Sequence, residues 1–153
     1  GESQANRKYL AYARKAQEDG YENIARLFRI IAEAETIHAL KHFEIAGKVG
    51  STLDNLKDAV DGETYEFSQM YPAFIEKARE EKADKAARTF NMANEAEKVH
   101  GALYEQALAA VESGEDIKVG SLYLCPVCGN VTKDEAPERC SICGVPGGRF
   151  QKF

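Results

Sequence analysis

Apolar side chains recur every three or four residues through most of the first 112 positions, the spacing that lines one face of an α-helix. Four helical segments follow from it. The first covers 1–19, with Glu2, Ala5, Tyr9, Tyr12 or Ala13, and Ala16 on one face and Gly20 as its stop. The second covers 22–46, with Ile24, Leu27, Phe28 and Ile31 leading its stripe and Gly47 ending it. The third covers 54–80, with Leu56, Val60, Glu63, Phe67, Met70 and Phe74 in line. Ser51 or Thr52 is its candidate cap. Pro72 should kink it, because proline donates no hydrogen bond and crowds the carbonyl of Ser68. The fourth covers 83–112 and stops at Ser113-Gly114.

Charged residues interrupt these stripes where apolar ones are expected. Glu35 and His38 lie three apart inside the second stripe, and Glu97 and His100 repeat the pattern inside the fourth. Three residues place two side chains about 60° apart on a helix, so each pair can reach one metal ion. An unpaired carboxylate on a buried face costs several kcal/mol, on the order of other buried charges, unless a cation accompanies it. Two Glu-x-x-His pairs on two helices are a recurring way to build a two-metal site in a four-helix bundle. Glu63 and Glu66 add a same-face acidic pair, and Glu2 falls on the inward face of the first helix. Glu33 and Glu95 lie roughly 140° from His38 and His100 and are expected in solvent.

Composition changes after residue 114. Residues 115–121 form a linker, and 122–153 hold all four cysteines as Cys125-x-x-Cys128-Gly129 and Cys140-x-x-Cys143-Gly144. Paired knuckles of this kind set four thiolates around one tetrahedral metal, iron or zinc. The net charge of −5 and the scatter of Lys and Arg show no nucleic-acid patch. No apolar run would span a membrane, and clustered cysteines favour metal binding over a disulfide framework. A cytoplasmic protein is the expectation.

With these residues in view, the chain resembles rubrerythrin over essentially its whole length: a ferritin-like four-helix bundle followed by a small rubredoxin-like β module. The carriers are Gly1-Glu2-Ser3-Gln4-Ala5, Glu35-Thr36-Ile37-His38, Gly62-Glu63-Thr64-Tyr65-Glu66, Met70-Tyr71-Pro72, Glu97-Lys98-Val99-His100 and the two knuckles. The resemblance implies a di-iron bundle over 1–114 and a one-iron domain over 122–153 held by Cys125, Cys128, Cys140 and Cys143. It implies that Glu35 and Glu97 bridge two irons, with Glu2 terminal on the first and Glu63 and His100 terminal on the second. Glu66 would bind the first iron when oxidised, and His38 would replace it on reduction. Tyr9 and Tyr71 match active-site tyrosines of the family, while His42 matches no family ligand.

The implied activity is reduction of hydrogen peroxide, with electrons relayed through the iron–thiolate module from a reductase or small carrier protein. A ferritin-type ferroxidase or iron-handling role is the competing reading, and a zinc-ribbon adaptor with an inert bundle is a third. Five carboxylates carry −5 against +4 for two ferrous ions and +6 for two ferric ions, so the site stays within one charge of neutral.

The connection after the second helix is shorter than in many relatives. In a ferritin-like bundle the second and third helices run parallel, so their link must traverse the bundle. His38 and Glu63 each lie about nine residues from it, which asks for about 26 Å. Residues 48–53 supply seven links, at most ~25 Å when fully extended. A homodimer that exchanges its first two helices is therefore expected.

Overall fold

Small side chains bring the first two helices together. In the computed structural model, which describes residues 1–153, α1 (Glu2–Glu18) and α2 (Glu22–Ile45) form a hairpin around Gly20, whose φ of +84° suits glycine. Ala13 and Ala16 of α1 and Ala25 and Ala32 of α2 are buried between them. Residue 13 rather than Tyr12 therefore occupies the inward position, and Tyr12 is half-exposed. Tyr9 and Tyr12 instead pack against Phe28, with ring centroids 6.2 and 5.6 Å away. Asn6 fastens the pair by donating to the Ala32 carbonyl at 2.7 Å and to Thr36 Oγ1 at 2.8 Å. This hairpin, residues 1–50, is one compact unit.

The hairpin corrects one expectation. The stripe of Ile24, Leu27 and Ile31 is not buried, and these side chains are 46%, 56% and 40% exposed. The physical reason is that α2 has two apolar faces. Ala25, Ala32 and Thr36 point about 100° away from Ile24, and α1 covers only that face.

The second unit runs from Ser51 to Phe153. Ser51 caps α3 (Thr52–Tyr65) through a reciprocal box: its hydroxyl accepts from the Asp54 amide, and its own amide donates to the Asp54 carboxylate. The helix thus starts two residues before the expected Asp54. The expected kink takes the form of a π-helical turn, Glu66–Met70, which joins α3 to α4 (Tyr71–Glu80). There the Tyr71 amide reaches the Glu66 carbonyl five residues back, a wider turn that suits the approach to Pro72. The long α5 (Asp84–Glu112) packs against α3 and α4. It approaches α3 closely at the buried Gly101, where an added Cβ would lie 3.4 Å from Phe67 and 3.6 Å from Glu63.

The C-terminal module is a three-stranded antiparallel sheet. Strand β1 (Leu122–Leu124) lies between β2 (Val131–Lys133) and β3 (Gln151–Lys152). Tyr123 pairs with Thr132 on one side and Lys152 on the other. Gly147 is required by a close approach: a Cβ there would meet the Pro137 carbonyl oxygen at 1.7 Å. Gly147→Ala is expected to destabilise the module by several kcal/mol, about 3 or more, because backbone rather than a flexible side chain must yield. Thermal unfolding followed through a metal–thiolate absorption band would show it, and an unchanged melting temperature would refute the steric reading.

Candidate metal centre

The two knuckles superimpose the same local design twice. Gly129 donates to the Cys125 carbonyl at 3.1 Å, and Gly144 donates to the Cys140 carbonyl at 2.9 Å. Both glycines have positive φ, +81° and +77°, which lets each loop turn back under its sulfurs. Cys125 Sγ lies 3.5 Å from Cys143 Sγ, and Cys128 Sγ lies 3.5 Å from Cys140 Sγ. A tetrahedral ion with metal–sulfur bonds near 2.3 Å needs sulfurs about 3.8 Å apart, so the cage fits one ion. The Cys140 thiol feels burial, which raises its pKa. The amides of Cys143 and Ile142 and the neighbouring thiols outweigh that and hold it down at about 6. Asn130, itself buried, points its Nδ2 at the same sulfur from 3.7 Å. Burial pushes the Cys128 thiol up instead, and Cys143 likewise. Cys140 thus offers an arriving cation a readily formed thiolate, and the cation displaces the remaining protons.

The second cluster forms where α3 meets α5. Glu63, Glu97 and His100 converge so that their ligand atoms lie within 4.8 Å of one another. His100 Nδ1 is 2.6 Å from Glu97 Oε2 and 4.0 Å from Glu63 Oε2. On its other edge His100 Nε2 is 2.9 Å from the Gly129 carbonyl. A carbonyl can only accept, so Nε2 carries a proton and donates it. In the neutral ring Nδ1 then presents a lone pair to two carboxylates, an arrangement that calls for a proton or a cation among them.

The electrostatics say the same. Burial, with Glu97 beside it, raises the Glu63 carboxyl from 4.5 to about 7. Burial and then Glu97 also raise Glu66, the first residue of the π turn. The Tyr71 hydroxyl is held up by burial and by the negative charge of Glu97, Glu66 and Glu63. Tyr71 and Glu66 therefore belong to the same cluster.

The remaining expected ligands lie in the first unit. Glu35 is largely covered, with 18% of its side chain exposed, and His38 Nδ1 stands 3.3 Å from its Oε2. His38 and His42 are both exposed, and Glu2 is partly covered at the start of α1. Glu33 is exposed and Glu95 pairs with Lys98, as expected for residues off the ligand face. The first unit thus places Glu35 beside His38, and the second brings Glu63, Glu97 and His100 together, with Glu66 and Tyr71 near enough to feel the charge of Glu97.

Two contributors escaped the sequence reading. Asn6 could have been found, because it lies one turn from Glu2 and is polar where the stripe should be apolar. The Gly129 carbonyl could not, because a backbone acceptor leaves no mark in residue type.

Comparison with known proteins agrees with both clusters. The family model Rubrerythrin matches residues 1–108, and the model for the rubrerythrin rubredoxin-like domain matches residues 123–151. Rubrerythrin-2 of Clostridium acetobutylicum is 44% identical across 100% of this chain and 91% of its own length. Nigerythrin of Nitratidesulfovibrio vulgaris is 38% identical across 100% of this chain and 81% of its own. Among solved structures, mixed-valent nigerythrin is 40% identical with a TM-score of 0.62. Fully reduced, all-ferrous nigerythrin is 39% identical with a TM-score of 0.63, and each covers 100% of this chain and 81% of its own. No helix of this chain is long and apolar enough to cross a membrane.

Proposed function

The chain belongs to the rubrerythrin family, and from that membership we propose that it is a di-iron peroxidase that reduces hydrogen peroxide to water. The family's cofactors, a two-iron centre and a one-iron thiolate centre, suit the donor sets present here: carboxylates with imidazole, and four sulfurs. Glu2, Glu35, His38, Glu63, Glu66, Glu97 and His100 would hold the pair, and Cys125, Cys128, Cys140 and Cys143 the single iron. When bound in the ferrous state, the pair would supply the two electrons that, with two protons, convert one peroxide to two waters.

The observation that carries this reading is the hydrogen bond from His100 to Gly129. Gly129 follows Cys128 directly. The path from the cysteine cage thus runs along one residue of backbone, crosses one 2.9 Å hydrogen bond and enters a ring whose far nitrogen faces Glu97. It supports electron delivery from a reductase or carrier protein at the cysteine cage.

Other residues serve the protons and the approach. Tyr71 holds a proton beside the ligand cluster, because burial and the charge of Glu97, Glu66 and Glu63 hold its hydroxyl up. A largely apolar groove of about 840 Å³, walled in part by Leu56, Leu103 and Leu122, has Glu63 and His100 in its lining. It leaves a small uncharged oxidant room to reach Glu63 and His100.

Cys125→Ser tests the relay. Reduced variant protein should still be reoxidised by one equivalent of peroxide at the wild-type rate in stopped flow. Steady-state turnover driven by a protein reductant should fall roughly 10–100-fold or more, the scale seen when a supporting partner of a metal site is lost. Unchanged steady-state turnover would leave the module a structural role. Reduced protein that reacts with oxygen faster than with peroxide, and releases ferric iron, would favour the ferroxidase reading.

A further inference from the structure

We propose that Asn130 is a positioning residue of the cysteine centre: its side-chain amide donates to the Cys140 sulfur and so sets how readily that centre accepts an electron. The inference rests on reading the four cysteines as an iron centre. It deepens that reading by naming the group that fixes the centre's reduction potential. Asn130 acts through the sulfur and not on any reacting atom.

The two knuckles repeat each other bond for bond, which isolates what Asn130 adds. The Cys125 amide donates to the Asn130 carbonyl at 2.8 Å, and the Cys140 amide donates to the Val145 carbonyl at 2.9 Å. Burial pushes the thiols of Cys128 and Cys143 up. In each case the main-chain amide two residues on, that of Asn130 or of Val145, acts against burial at the sulfur. Asn130 and Val145 thus occupy the same place in the design, directly after Gly129 and Gly144. In the second knuckle a valine meets every main-chain requirement of that place. The fold of the first knuckle therefore does not call for asparagine, and only the side-chain amide distinguishes it.

That amide stands where water cannot serve it. Asn130 is 3% exposed. A polar group so far from solvent is held there only where a hydrogen bond offsets its lost hydration. The bond present runs from Nδ2 to Cys140 Sγ at 3.7 Å, and it crosses from the first knuckle to the second. Cys140 is itself 3% exposed, so solvent does not compete for its sulfur. In such a dry place a donor interacts more strongly with charge than it would in water.

The charge in question changes during electron supply. One electron passes from the donor protein, which is oxidised, to the ferric centre, which is reduced. No proton need move, and the cage of four sulfurs gains one negative charge. An N–H aimed at a sulfur favours the more negative state and so raises the potential. The placement also suits onward transfer. The peptide unit between Gly129 and Asn130 accepts from His100 Nε2 at its oxygen, over 2.9 Å, and turns its N–H toward the Cys128 sulfur. Asn130 therefore tunes the centre at the residue where it meets the second cluster.

Asn130→Val tests this by giving the first knuckle the residue of the second. The full chain is loaded with iron, oxidised, and titrated through its ferric–thiolate absorption band against a one-electron mediator of known potential. At the mediator ratio that leaves the wild-type centre half reduced, the reduced-to-oxidised ratio of the variant should fall about tenfold. That is a potential about 59 mV lower for one electron, on the scale of one hydrogen bond to a charged group. A ratio within about twofold of the wild type, with the absorption band intact, would overturn the proposal. Should the variant take up no iron, the wild-type chain gives a second test, with zinc in place of iron at the cysteines. One proton of the Asn130 side-chain amide should then exchange with solvent roughly 100-fold more slowly than those of the exposed Asn23, as followed by NMR. Equal exchange rates would overturn the proposal as well. A wild-type chain that never develops a ferric–thiolate band would instead refute the reading of the cysteines as an iron centre, a failure visible before any variant is made.

Discussion

Glu97→Ala is expected to abolish two-metal occupancy and to lower peroxide turnover by more than about 100-fold, beyond the loss typical of an outer partner of a metal ligand. Three features of the site set this size. Glu97 Oε2 is the group nearest to His100 Nδ1, at 2.6 Å, so its removal leaves the ring facing only Glu63 at 4.0 Å. Glu97 is also largely buried, with 16% of its side chain exposed, so water cannot readily replace the lost oxygen as a ligand. It is the carboxylate whose charge raises Glu63, Glu66 and Tyr71 together, which places it at the electrostatic centre of the cluster. Metal analysis of the variant, with the thiolate iron counted separately, and stopped-flow reaction with peroxide would measure both effects. Two tightly held bundle metals in this variant would show that Glu97 is not a bridging group.

The second large effect concerns the metal-free protein. Burial and the neighbouring Glu97 hold the Glu63 carboxyl at about 7 in the folded chain, against an ordinary value of 4.5. The folded state therefore binds this proton more tightly than the unfolded state does. Below pH 4.5 both states are protonated and the group is neutral in its effect. As pH rises from there to about 7, the unfolded chain releases the proton first, and folding loses stability. Above that range the penalty is complete, at most about 3 kcal/mol for a shift of this size. Metal-free protein should thus melt lower at pH 8 than at pH 5.5. Glu63→Gln should remove much of that slope and stabilise the metal-free form at pH 8. Added ferrous iron should reverse the trend in the wild type only, because a cation favours the ionised carboxylate. Urea unfolding at the two pH values, with and without metal, would test it. A metal-free protein more stable at pH 8 than at pH 5.5, with the variant unchanged, would remove Glu63 from the cluster.

Much of this was legible in the chain before any coordinates. Helix-period stripes, Gly20 and Gly47 as stops and a cap at Ser51 or Thr52 are local signals, and local backbone chemistry alone sets them. The ligand types were equally legible, because a Glu and a His three apart inside an apolar stripe make no sense without a cation, and paired knuckles have few other uses. Pro72 announced a break in the third helix. That the break takes the form of a π turn beginning at Glu66 is not marked by any residue type.

The tertiary structure decided what depends on more than one element at once. Periodicity marked Ile24, Leu27 and Ile31 as inward, but inward is defined by what covers a face. The alanines at 13, 16, 25 and 32 allowed α1 to approach another side of α2, and the larger stripe stayed uncovered. The level of Glu63 near 7 arises from burial and from Glu97 across the α3–α5 interface, neither of which any spacing within one helix contains. The hydrogen bond from His100 to Gly129 joins a side chain to a backbone carbonyl 29 residues onward. Sequence carries the first of those atoms as a letter and does not carry the second at all, since every residue has a carbonyl and only the fold chooses which one the imidazole meets.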